Sequence, residues 1–157
     1  MGAPMAGVSG GLLAFETCKA GGLGFIAAGH LVSDKSYDSL EREIQLFRDL
    51  SAAQSSLQKL PLSIGFIGHS TFGKDSPGWK YVTRILEKHK PTNVQLFAPS
   101  ISKDVPSELL VAAKNNVELC QSYGCQVFAQ VGSVQEGIEA MDAGVNCLIA
   151  QGTEAGG

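Results

Sequence analysis

Cys125-Gln126-Val127-Phe128-Ala129-Gln130-Val131, followed by Gly132-Ser133-Val134-Gln135-Glu136-Gly137-Ile138-Glu139-Ala140-Met141 and Asp142-Ala143-Gly144-Val145-Asn146-Cys147-Leu148-Ile149-Ala150, is the stretch that decides the fold. Cys125 to Val131 reads as a strand. Ser133 caps a helix that runs to Met141, with Glu136 completing a capping box. Asp142-Ala143-Gly144 turns the chain into a last strand, Asn146 to Ala150. A strand, a helix of this length and a second strand imply a right-handed crossover and a parallel sheet.

The same alternation runs through the rest of the chain. Leu12 to Ala20 reads as a short helix, broken by Gly21-Gly22, and Leu23 to Gly29 as a buried strand. Tyr37 to Leu57 carries Leu40, Ile44, Phe47 and Leu50 at helical spacing. Leu62 to Ile67 is the next strand, Pro77 to Lys88 a helix and Asn93 to Ala98 a strand. Pro106 to Gln121 is a helix with Ser102 or Asp104 as cap and Pro106 in its first turn. With the stub Ala3-Pro4-Met5, this makes five strands and the end of a sixth. The class is α/β. The residues leave two architectures open, a doubly wound sheet or part of an eight-stranded barrel, which typically takes ~250 residues against 157 here.

Composition narrows the function classes. Hydrophobic residues make up 44% and charged ones 17%, so a packed core is expected rather than disorder. The formal charge of −3, with no Lys/Arg cluster, argues against nucleic acid as a partner. No apolar run has the length of a membrane span, and no secretory leader is legible at the start, so a cytoplasmic protein is expected. Cys18, Cys120, Cys125 and Cys147 lack metal-ligand spacing and read as reduced, mostly buried thiols, with no metal site.

Site candidates concentrate where apolar runs end. Cys147 to Ala150 breaks into Gln151-Gly152-Thr153-Glu154-Ala155-Gly156-Gly157. A Gly-rich turn after a buried strand lets backbone N–H groups approach a flat or anionic ligand. Gln151 is expected to meet a ligand at the carboxyl end of its strand, and Glu154 either to meet it or to hold the turn. His69 and His30 read as surface-loop residues. His89, at the end of a charged helix, reads as solvated, as do the helix faces carrying Glu41, Arg42, Glu43 and Glu87-Lys88. No nucleophile–base set can be assembled.

Ala3-Pro4-Met5-Ala6-Gly7-Val8-Ser9 followed by Lys19-Ala20-Gly21-Gly22-Leu23-Gly24-Phe25-Ile26 resembles the opening of nitronate monooxygenases, formerly 2-nitropropane dioxygenases. Pro61 to Phe66, Gln130 to Glu136, Ala143 to Asn146 and Ala150 to Gly157 match further blocks in the same order. The resemblance implies a TIM-type (β/α)8 barrel, about six of whose eight strands are present with the first clipped. It makes residues 1–157 an incomplete barrel domain that binds FMN at the carboxyl ends of its strands. The implied reaction is oxidation of alkyl nitronates (nitroalkanes) by O₂. FMN-dependent enoyl-acyl-carrier-protein reductases share the barrel and the Gly-rich turn and form the alternative.

Carried over residue by residue, the resemblance implies that Met5, Gly65, Gln130, Gln151 and Gly156 contact the FMN. Gly65 stands where many relatives have Asn, leaving backbone alone to do that work. The family's general-base His is expected after Gly157, so no catalytic residue is assigned within the chain. The incomplete barrel edges imply self-association, and a non-catalytic half-barrel working through a partner chain is a further alternative.

Overall fold

A computed structural model of the chain describes residues 1–54, 59–68, 76–97 and 116–151. Five strands form one parallel sheet in the order β1-β2-β3-β4-β5: β1 Ile26–Gly29, β2 Ser63–Ile67, β3 Asn93–Phe97, β4 Gln126–Val131 and β5 Cys147–Ala150. The helices are α1 Gly11–Lys19, α2 Asp34–Ala53, α3 Trp79–His89 and α4 Val134–Asp142, with residues 116–122 also helical. The strand order settles the alternative that the sequence left open. A doubly wound sheet reverses its strand order at a switch point. Here each strand pairs with the one before it in sequence, the stepwise arrangement of a barrel wall.

The registers sort the side chains onto two faces, because strand neighbours alternate. Ile64, Val94 and Val127 lie side by side and point with Ile26, Phe66 and Leu96 toward the helices. There they meet Leu40, Ile44 and Phe47 of α2 and Val82, Ile85 and Leu86 of α3. The opposite face mixes polar and apolar residues: Ser63 lies beside Asn93, and Gly65 beside Gln95, Phe128 and Cys147. Phe25 covers part of this inner face, its ring edge-on to Phe128 with 5.9 Å between centroids.

Several boundaries differ from the sequence-based expectation, each for a local reason. Helix α2 begins at Asp34 rather than Tyr37, because the Ser33 hydroxyl accepts from the Ser36 N–H and Ser36 answers as a capping box. Strand β1 begins at Ile26 rather than Leu23. The Gly24 N–H is spent on the Cys18 sulfur at 3.4 Å, and the Leu23 carbonyl on the Gly2 N–H at 2.8 Å, so neither joins the ladder. The stub Ala3-Pro4-Met5 forms no ladder, and Pro4 lies over Gly65 of β2. Pro4 has no N–H to give, and the Ser9 hydroxyl folds the segment on itself by donating to Ala3 O and accepting from the Met5 N–H. Ser133 caps α4 as expected, whereas the Glu136 carboxylate reaches one residue further back, to the Gly132 N–H at 2.6 Å. Of the helix expected over 106–121, the part before Asn116 and its caps lie outside the described residues.

The acidic helix face is not simply solvated. His89 is buried, and its Nε2 lies 2.8 Å from Glu41 Oε1, while Lys88 Nζ lies 2.6 Å from Glu41 Oε2. Burial pushes the Glu41 carboxyl upward, but hydrogen bonds from Lys88, His89 and Tyr37 outweigh it and bring it down to about 2. Burial also lowers His89, against the pull of Glu41. The imidazole at neutral pH is therefore an N–H donor, and Lys88 carries the charge of the clasp. Glu43 likewise departs from expectation, since its carboxylate caps α1 by accepting the Gly11 N–H at 2.7 Å. The physical reason is common to both: α1 and α3 each bring polar groups to α2, and the nearest carboxylates answer them.

Cys18, Cys120 and Cys125 are buried free thiols and Cys147 is exposed. Burial pushes the Cys125 thiol up to about 11 and raises Cys120 further. Among the described residues, no helix is long and apolar enough to cross a membrane.

Candidate functional site

At the carboxyl ends of β1 to β4 the inner face opens into a cavity of about 220 Å³. Met5, Gly65, Gln130 and Gln151, four of the five site residues expected from sequence, line it. Gly156 lies outside the described residues, as do Glu154 and His69. His30 is on the exposed turn after β1 and does not line the cavity. Pro4, Ile67 and Phe97 supply apolar walls.

The local structure explains how each residue arrives there. Gln130 sits near the end of β4 opposite Ile149 of β5, and Gln151 follows β5 with its N–H on the Val131 carbonyl at 3.0 Å. Gly65 lies within β2, and a Cβ built on it would meet the Pro4 ring. The room an Asn side chain would need is thus filled by the N-terminal segment. Glycine here lets that segment close over the strand, and it brings Met5 to the cavity wall.

One contributor was missed in the sequence. Gln95 on β3 is 1% exposed and donates from Nε2 to Gln130 Oε1 at 3.1 Å. In this orientation of the two amides, Gln130 keeps its NH₂ for a ligand. The signal was present in Asn93-Val94-Gln95-Leu96, where polar and apolar residues alternate at strand period and place two amides on the face away from the helices.

Two acceptors are left over. Gln95 Oε1 and Gln151 Oε1 are buried and have no partner among the described residues. A buried acceptor without a donor costs about 1–3 kcal/mol, so these oxygens call for a donor from a ligand or water. None of the described lining residues titrates. The chemistry offered is flat apolar walls, an amide donor and an orphan amide acceptor. That combination suits a planar heteroaromatic ring with a polar edge. At 220 Å³ the cavity is smaller than the ~300–1,000 Å³ of complete ligand sites, so the described residues form one side of such a site.

No family model matches the chain. A nitronate monooxygenase of Neurospora crassa is 34% identical over 165 residues, an alignment covering 99% of this chain and 42% of that protein. The chain therefore spans about two fifths of the length of that relative. Among solved structures, a nitroalkane oxidase from Streptomyces ansochromogenes matches with a TM-score of 0.68 at 23% identity, over 97% of this chain and 45% of the other. FabK from Thermotoga maritima matches with a TM-score of 0.68 at 20% identity, over 97% and 40%. Likeness at these identities establishes the fold, a partial α/β barrel. The kinship in sequence is with nitronate monooxygenases.

Proposed function

From this kinship with nitronate monooxygenases as the premise, we propose that residues 1–157 form the part of a flavin-dependent barrel domain that grips the cofactor ring, in a protein that oxidises alkyl nitronates with O₂. The observation that carries the reading is Gln151 Oε1, buried without a partner among the described residues, on the same cavity as Met5, Gly65 and Gln130. The residues present fit the ring of FMN: apolar walls accept its flat body, and the two glutamines offer a donor and an acceptor to its edge. Met5, Gly65, Gln130, Gln151 and Gly156 are the residues assigned to hold it. When bound, the flavin carries electrons from the nitronate to O₂.

The chain's own residues bind and orient. With no titratable group among the described lining residues, none of them removes a proton. This part of the site suits a nitronate, which arrives already as an anion, better than a neutral nitroalkane that must lose an α proton. The test is O₂ uptake by the purified protein with FMN and a propyl nitronate, without nicotinamide. Nitronate-dependent uptake is the expected result. Rapid NAD(P)H oxidation with no response to nitronate would overturn the reading in favour of the enoyl-thioester reductase alternative.

A second reading, a half-barrel that works through association with another copy of the chain, is favoured by one observation. Val134, Ile138 and Met141 of α4 are 82%, 51% and 64% exposed over Leu148, a concentration of apolar surface that commonly marks an interface. Sedimentation of the purified protein separates the readings. A flavin-free oligomer would favour association, and a monomer that binds FMN stoichiometrically would remove it.

A further inference from the structure

A second cavity, of about 660 Å³, lies at the other end of the sheet. It is bounded by the end of α2, the entries to β2 and β3, and the end of α3, with Arg48, Lys59, His89, Lys90, Thr92 and Gln54 on its lining. Three of these, Arg48, Lys59 and Lys90, are basic side chains, and no described lining residue is acidic. The chain as a whole carries a formal charge of −3, so this local positive excess does not follow from composition.

Two features give the cavity the character of a built site. His89 is 8% exposed, its Nε2 is engaged by Glu41, and its Nδ1 is buried with no partner among the described residues. Lys90 is the one described non-glycine residue with positive φ, at 45°, as the left-handed cap of α3. Glycine is the relaxed choice at such a cap, and the following Pro91 restricts the backbone of this position further. The fold accepts that strain and places a cationic side chain on the cavity lining. Backbone strain of this kind gathers at functional positions.

We propose that this cavity binds an oxyanion of the phosphate class, held by Arg48, Lys59 and Lys90 and contacted by His89 through Nδ1. The Arg48 guanidinium is already oriented by one hydrogen bond to the His89 carbonyl at 3.0 Å and retains further donors. Thr92 adds a hydroxyl. Gln54 Oε1, buried and unpaired among the described residues, is an acceptor for the P–OH of a monoprotonated phosphate. The charged and titratable groups facing His89 are Glu41 and Arg48 from α2 and Lys88 from α3. With Nε2–H donated to Glu41, Nδ1 becomes a donor only when the ring is protonated. Binding the oxyanion through Nδ1 therefore takes up a proton at His89.

The test is thermal unfolding and calorimetric titration of the purified protein with inorganic phosphate, at constant ionic strength set with chloride. The expected result is saturable binding and a rise in Tm that grows with phosphate concentration. The double variant Lys59→Gln, Lys90→Gly is expected to lose at least tenfold in phosphate affinity while its Tm without phosphate is equal or higher, because glycine relieves the strained cap. A response to phosphate no larger than to chloride, or one unchanged in the double variant, would overturn the proposal. Glycerol phosphate distinguishes the sources: tighter binding than inorganic phosphate identifies a phosphorylated metabolite as the ligand, and equal binding identifies free phosphate. Neither outcome depends on flavin or on nitronate turnover.

Discussion

The two faces of the sheet are built from the same five strands and differ in what their side chains are for. On the helix side, Ile26, Ile64, Phe66, Val94, Leu96 and Val127 are each at most 2% exposed, and every one of these strand side chains is apolar. On the other side, Ser63, Asn93 and Gln95 are buried but polar, and the side-chain oxygens of Gln95 and Gln151 have no partner among the described residues. Asn93 Nδ2 donates to Ser63 Oγ at 2.9 Å, so the base of this column is paired, whereas Gln95 Oε1 further along has no partner among the described residues. The contrast separates stability from binding. One face gains by excluding water, and the other holds buried polar groups, two of whose oxygens have no partner among the described residues.

That division can be broken most forcefully from the apolar side. Ile64→Ala removes a fully buried side chain at the centre of the sheet and is expected to cost about 3 kcal/mol, the usual cost of a buried cavity. Urea unfolding measures it, and a loss below ~1 kcal/mol would mean that the helix-facing core is not the source of stability.

Next in size is the clasp between α2 and α3. Glu41→Gln keeps the shape but loses the charge-assisted bonds to Lys88 and His89, an expected loss of about 2 kcal/mol at pH 7. The pH dependence has a definite sign. Glu41 is held down to about 2 from 4.5, so its contribution is present above pH 4.5 and disappears as the pH falls through about 2. His89 is also lowered, so protonating it below its ordinary range favours the unfolded chain and adds to acid sensitivity. In Glu41→Gln the limb between pH 4.5 and 2 is expected to flatten, which an unfolding series across that range would reveal.

The smallest expected effect sharpens the comparison most. Gln95→Leu removes a buried amide whose oxygen has no partner among the described residues, and it frees Gln130 to turn toward the cavity. Stability is expected to stay within about 0.5 kcal/mol of the parent, while FMN affinity falls at least tenfold. Flavin fluorescence and urea unfolding, measured together, distinguish this from a structural role. Equal losses of stability and binding would place Gln95 with the core rather than with the site.

How much of this was legible in the chain depends on the range of the interaction concerned. The crossover from Cys125 to Ala150, the Ser133 cap and the helical spacing of Leu40, Ile44 and Phe47 rest on local sequence alone, and each stands in the structure. The cap at Ser33 was also local, but its partner is Ser36 rather than an acidic residue, and the capping-box pattern does not flag that pairing. His89 and Glu43 could not be read correctly from their surroundings in sequence. Their partners lie 48 residues away, at Glu41, and 32 residues away, at Gly11. Charge patterning along one helix is blind to what a second helix brings against it.

The site shows the same limit. Gln151 is named by the Gly-rich turn at a strand end, and Met5, Gly65 and Gln130 by the resemblance alone, but their convergence on one cavity needs four strands stacked in register. Periodicity and turn residues determined by themselves that this protein alternates strands and helices around a parallel sheet, because those preferences act within a few residues of the backbone. Only the tertiary structure decided that the strands follow one another in order, that Pro4 closes over Gly65, and that a buried histidine and three cations meet at the amino end of the sheet. Those are contacts between segments far apart in the chain, and their free energy is defined only once the sheet has brought them together.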